Sequence, residues 1–161
     1  MDRTNNAVED FLQLHHIAVV GVSRSGNGVG NYIYKKLRKT GYKVYAVNPN
    51  ADLVEGDLCY ADLSALPECV EGVIVTTHPK HCNEIVRACA ARGIQYVWIH
   101  RSIGGGSVDN DAVELGSELG LSIIPGGCPM MYCEPVDFPH KCMRWVLQVT
   151  GKMPKPEYFC K

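Results

Sequence analysis

Short apolar, β-branched runs alternate along the chain with stretches in which apolar residues recur every three or four positions. That alternation predicts βαβ units, and so an α/β fold: a doubly wound, mainly parallel sheet of five or six strands with helices on both faces. A helix over about 6–14, capped by Asn6 and apolar at Val8, Phe11 and Leu12, is expected to pack on the sheet edge. The first strand, 17–22, is apolar throughout, as a strand buried on both faces must be. A polar, glycine-rich loop, 23–30, leads to a helix whose inward stripe is Val29, Ile33 and Leu37 and whose stop is Gly41. The second strand, 43–47, ends at Asn48-Pro49-Asn50.

Leu58-Cys59-Tyr60 reads as a short edge strand, and 73–77 as a further buried one, with Pro67 and Gly72 as punctuation before it. His78-Pro79 then places a proline at the first position of a helix whose stripe is Cys82, Ile85, Val86, Cys89 and Ala90. Strand 95–99, the loop Gly104-Gly105-Gly106-Ser107, a helix with Ala112, Leu115 and Leu119 on one side, and strand 121–124 complete the alternation. Beyond it, Pro125-Gly126-Gly127-Cys128-Pro129 opens a tail whose final helix is expected to turn Cys142, Trp145, Val146 and Val149 inward, ending at Gly151 and Pro154. The reading is one domain over 1–161, with a core of about 17–131 and a helical extension from about 132.

Composition narrows what such a domain does. Sixteen Lys+Arg against seventeen Asp+Glu give no basic field for nucleic acid or anionic lipid, so a small molecule or a protein is the expected partner, with a homo-oligomer allowed. The first residues lack a charged-then-apolar leader and no apolar run reaches bilayer length, which reads as cytoplasmic. Eight cysteines without a C-x-x-C pair are expected to be reduced thiols.

In an open parallel sheet, ligands bind beyond the carboxyl ends of the strands, so the informative residues are those just after each strand. Gly21, Val22, Ser23, Arg24 and Ser25 form a strand–loop–helix junction suited to a phosphate or pyrophosphate. A glycine turn that lets a helix pack closely leaves the same trace. Ser23 stands where the second glycine of G-x-G-x-x-G would be, and Asn48 stands where an NAD enzyme carries its ribose-binding acid, so NAD is disfavoured. No G-x-x-x-x-G-K-[ST] occurs.

Taken together, 17–23, Val47-Asn48-Pro49, Gly56 before Cys59-Tyr60, His78-Pro79 and Cys128-Pro129-Met130 resemble the CoA-binding Rossmann-like domain. This domain is found in succinyl-CoA synthetase alpha subunits and in small free-standing bacterial CoA-binding proteins. The resemblance runs from about Ile17 to Met131. It implies CoA or an acyl-CoA as ligand, with the pyrophosphate on the loop from Gly21 to Ser25. The adenosine would lie between Asn48-Pro49-Asn50 and Thr77-His78-Pro79. Arg24 and Lys80 are the cations available to a ribose 3′-phosphate. The synthetase's phosphohistidine domain has no room in 161 residues, so the ligase reaction is not expected here.

Cys128 follows the last strand at the ligand end and is the thiol expected to meet that of CoA, if a neighbouring charge activates it. His100-Arg101 also lies at a strand end, whereas His15-His16 reads as surface. Cys128, Cys133, His140 and Cys142 are of zinc-ligating type, but their spacing does not make C-x₂₋₄-C pairs, and no metal is expected. No acid–base pair or nucleophilic triad can be read from spacing. The leading expectation is therefore a CoA-binding carrier or sensor without chemistry of its own. A small NAD(P)-linked or thiol-redox enzyme and a ligand-free interaction subunit are the alternatives.

Overall fold

The computed structural model describes residues 3–102 and 105–153; Gly104, Pro154 and the last of the eight cysteines, Cys160, lie outside them. Seven strands form one sheet in the order β3-β4-β2-β1-β5-β6-β7. They are β1 His16–Val20, β2 Lys43–Val47, β3 Leu53–Val54, β4 Asp57–Tyr60, β5 Gly72–Val75, β6 Tyr96–Ile99 and β7 Ser122–Pro125. All neighbours run parallel except β3 and β4. The strand beyond the expected five or six is two-residue β3, too short to show periodicity. It folds back on β4 through Glu55-Gly56, both at positive φ, as a two-residue hairpin requires.

The helices are α1 Arg3–Leu12, α2 Val29–Lys39, α3 Cys82–Ala91, α4 Asn110–Glu118 and α5 Phe138–Val149. Successive residues of β1 face opposite ways. Ile17 and Val19 pack with Phe11, Ile33, Leu37 and Leu147 under α1, α2 and α5. Ala18 and Val20 pack with Val86, Cys89, Ala112 and Val113 under α3 and α4. On the first side Trp98 is fully buried, edge-on to Phe11 at 5.4 Å, with Nε1 donating to the Gly126 carbonyl at 2.9 Å.

Several local expectations change. Strand β1 ends at Val20, so Gly21 and Val22 belong to the turn. Helix α1 begins at Arg3, which places Asn6 within it rather than at its cap. Gly72 is the first residue of β5, not a break before it. Val29 and Leu119 are exposed, because α2 and α4 bury their other sides, through Ile33, Tyr34 and Leu37 and through Ala112, Val113 and Gly116.

The tail helix is rotated relative to expectation. Cys142 is exposed, Trp145 and Val149 are 64% and 67% exposed, Val146 is half-buried, and Leu147 turns inward. A periodic stripe specifies a face but not what that face meets. Here the Asp137 cap and Arg144, stacked over Tyr132 at 4.9 Å, accompany the rotation. Among the described residues no helix is long and apolar enough to cross a membrane.

Candidate functional site

Connections leave β1 in opposite directions, to β2 on one side and, after the β2–β4 excursion, to β5 on the other. The strand order therefore reverses between β1 and β5. At this crevice the backbone is packed too closely for side chains. A Cβ on Gly21, which sits at φ +102, would lie 2.7 Å from Thr76 Oγ1. One on Gly30 would lie 2.6 Å from the same atom and 2.8 Å from the Gly21 carbonyl oxygen. Two glycines thus let the first turn of α2 sit directly on the strand ends, where the unpaired amides of a helix N-terminus suit an anion.

Asn31 holds the loop between them. Fully buried, it accepts at Oδ1 from the amides of Ser23 (2.8 Å) and Gly28 (3.3 Å), and donates from Nδ2 to the Ser23 carbonyl and Glu55 Oε1, both at 2.8 Å. Ser25 N donates to Ser23 Oγ and Gly26 N to the Ser23 carbonyl. Much of the loop's donor capacity is therefore spent on its own shape, and the start of α2 is left as the main source of anion-facing amides. The sequence reading missed Asn31; its trace there is a polar residue on the inward face of a helix just behind a glycine-rich loop.

From the opposite side Asn48 Nδ2 donates to the Val22 carbonyl at 2.8 Å, and its Oδ1 accepts from Asn50 N at 2.8 Å. One side chain thus shapes both the turn after β1 and the turn after β2. A cleft of about 360 Å³ opens beside them, lined by Gly21, Asn48, Pro49, Leu63, Thr77 and Ile85, among others. Thr77 lines the cleft too, and its Oγ1 is buried without a hydrogen-bond partner among the described residues. A buried hydroxyl left unpaired costs free energy, which singles out Thr77 in the cleft wall. Asp62 and Glu84 also line the cleft. Both are carboxylates at neutral pH, and hydrogen bonds from Ser64 and Ala65 hold that of Asp62 below its ordinary range; this wall suits a nucleoside better than a phosphate.

The other residues singled out are distributed unevenly. His78 caps the 3-10 turn Pro79–His81, its Nδ1 accepting from Lys80 N at 3.3 Å. Arg24 and Lys80 are exposed on the two loops flanking the crevice, and neither forms an ion pair among the described residues. Cys128 is 2% exposed, and burial pushes its thiol up to about 11, the opposite of activation. His100 is 4% exposed and packed into the interior rather than presented to a ligand.

The tail's ligand-type residues diverge. Cys133 is buried 3.4 Å from Thr40 Oγ1, His140 pairs with Asp137 at 2.5 Å, and Cys142 is on the surface. No group of three or more metal-ligating side chains occurs among the described residues.

Comparison with known proteins places these features in context. Residues 15–134 match the model of a family described as the CoA binding domain. The chain is 28% identical over 118 residues, 70% of its length, to the ADP-forming acetate–CoA ligase I of Archaeoglobus fulgidus. It is 27% identical over 125 residues to the alpha subunit of the ADP-forming acetate–CoA ligase II of Pyrococcus furiosus. It spans only 17% of the first of these proteins and 27% of the second. Among solved structures, a hypothetical protein of Pyrococcus horikoshii superposes with a TM-score of 0.74 at 28% identity, over 83% of this chain and 91% of that one.

Proposed function

The chain belongs to the CoA-binding domain family, and from that premise we propose that it holds coenzyme A, free or acylated, across the carboxyl ends of β2, β1 and β5. The nucleoside occupies the cleft between Pro49, Leu63 and Ile85, with the Thr77 side chain forming part of the wall. The pyrophosphate rests over Gly21 to Ser25 and the first turn of α2. Val22 and Ser23 shape that turn, Asn48 and Asn50 brace it, and Thr77, His78 and Pro79 form the facing wall. Arg24 and Lys80 meet the 3′-phosphate from outside the negative wall of Asp62 and Glu84.

The observation that carries this reading is the cleft at the point of strand-order reversal, walled by Gly21, Asn48, Pro49 and Thr77. The cleft volume is that of a small-ligand site. The NAD alternative loses ground because the Asn48 side chain, which stands in the acid's place, is engaged with Val22 and Asn50.

The role is that of a carrier or sensor. Among the described residues no nucleophile is hydrogen-bonded to a base around the cleft, and Cys128 is buried. The likeness to a ligase alpha subunit supports a protein partner. Calorimetric titration with CoA, dephospho-CoA and NAD tests the reading. CoA is expected to bind most tightly and dephospho-CoA more weakly. Equal affinity for the first two would remove the role of Arg24 and Lys80, and tighter binding of NAD would overturn the assignment.

A further inference from the structure

At the amino-terminal end of the sheet, away from the cleft, three side chains from separate segments converge. His16, the first residue of β1, has Nδ1 2.9 Å from Tyr45 Oη of β2 and 3.4 Å from Cys69 Sγ, in the segment before β5. Tyr45 Oη lies 3.5 Å from the same sulfur and closes the triangle. The His16 and Tyr45 rings stack at 6.0 Å, which fixes the imidazole against the phenol. A thiol within hydrogen-bond reach of an oriented imidazole is the arrangement of a nucleophile and its base.

We propose that Cys69 is a site of reversible S-thiolation, with His16 as its base and a disulfide of a small thiol as its substrate. Sγ attacks one sulfur of the disulfide and the thiol proton passes to His16 Nδ1. The Cys69–S–S–R bond forms as the reagent's own S–S bond breaks, and the departing thiolate takes up the proton. Cys69 is oxidised, and half of the reagent leaves reduced as a free thiol.

The surroundings favour each stage. Burial and the hydrogen bond to Cys69 push the Tyr45 phenol up to about 12, so it remains a donor to the sulfur. Glu71 accepts from the amides of His15 and His16 at 2.8 and 2.9 Å and places a negative charge beside the imidazolium. Lys43, paired in register with His16, is exposed, and its charge acts on Asp57. Cys59, Cys82, Cys89, Cys128 and Cys133 are buried, whereas Cys69 is exposed.

Cys142 supplies an internal control, since it is also exposed but has no hydrogen-bond partner among the described residues. The reduced full chain is incubated with glutathione disulfide, quenched in acid, and the adducts are followed with time by peptide mass spectrometry. Cys69 is expected to gain glutathione at least about tenfold faster than Cys142, and His16→Gln to bring Cys69 down to the rate of Cys142 without changing the latter. Equal rates at the two cysteines in the unaltered chain would overturn the proposal, a comparison that needs no variant to fold. So would an unchanged Cys69 rate in H16Q.

Discussion

Asn48 Nδ2 and the carbonyl of Val22 lie 2.8 Å apart, so the turn that ends β2 grips the turn that ends β1. The two loops around the crevice are therefore one hydrogen-bonded unit. Asn31 extends that unit inward to α2 and outward, through Glu55, to the β3–β4 hairpin. This frame has consequences for stability and for ligand affinity.

Asn31→Ala removes four hydrogen bonds at a fully buried position and leaves the Ser23 and Gly28 amides facing an apolar methyl. A loss of about 2–4 kcal/mol is expected, measured by urea unfolding. The binding loop should also exchange its amides faster than in the unaltered chain. An effect below about 0.5 kcal/mol would mean that the loop holds its shape without this side chain.

Gly30→Ala and Gly41→Ala separate steric from conformational cost. At position 30 the added methyl collides with Thr76 and with the Gly21 carbonyl, and about 2–3 kcal/mol is expected, together with weakened ligand binding. Position 41 is at φ +100 with nothing within 4 Å of the added carbon. Only backbone strain of about 1 kcal/mol is expected there, with affinity unchanged. Equal effects on affinity would contradict the placement of Gly30 under the ligand.

His100 makes stability sensitive to mild acid. Burial, reinforced by the nearby charge of His140, lowers its imidazole to about 4. Between about pH 6.5 and 4 the unfolded chain binds a proton that the folded one refuses. The contribution is therefore fully present above pH 6.5 and declines as pH falls through this window, by up to about 1.4 kcal/mol per pH unit. Unfolding free energies at pH 7, 6 and 5 should show this slope, and His100→Gln should flatten it. The same slope in both proteins would assign the effect to other groups.

Much of the fold was legible because strands buried on both faces announce themselves as unbroken apolar runs. β2 falls on 43–47 as read, and the α3 stripe buries Cys82, Val86 and Cys89. The crevice was legible too, since Gly21, Asn48, Pro49 and Thr77 all line one cleft. What escaped depends on tertiary placement. The rotation of α5 depends on contacts that the stripe Cys142, Trp145, Val149 does not encode. Asn31 leaves only a faint trace, a polar residue on an inward helix face, and its four partners are set by the fold. His16 and Cys69, 53 positions apart, meet only because β1 and β5 are neighbours.

Ser23→Asp places a carboxylate on the loop assigned to the pyrophosphate. Repulsion should weaken CoA binding by about 1–3 kcal/mol, roughly ten- to a hundredfold in Kd, measured by calorimetry. Unchanged affinity would move the diphosphate elsewhere.

Hydrogen–deuterium exchange with and without CoA tests the location of the ligand most directly. Saturating CoA should slow exchange in residues 21–31, 48–50 and 77–82, the three segments that meet at the crevice, and leave the amino-terminal ends of the strands unchanged. Slowing confined to the groove formed by residues 12–15 and 40–42, or no slowing at the crevice at concentrations where calorimetry detects binding, would contradict it.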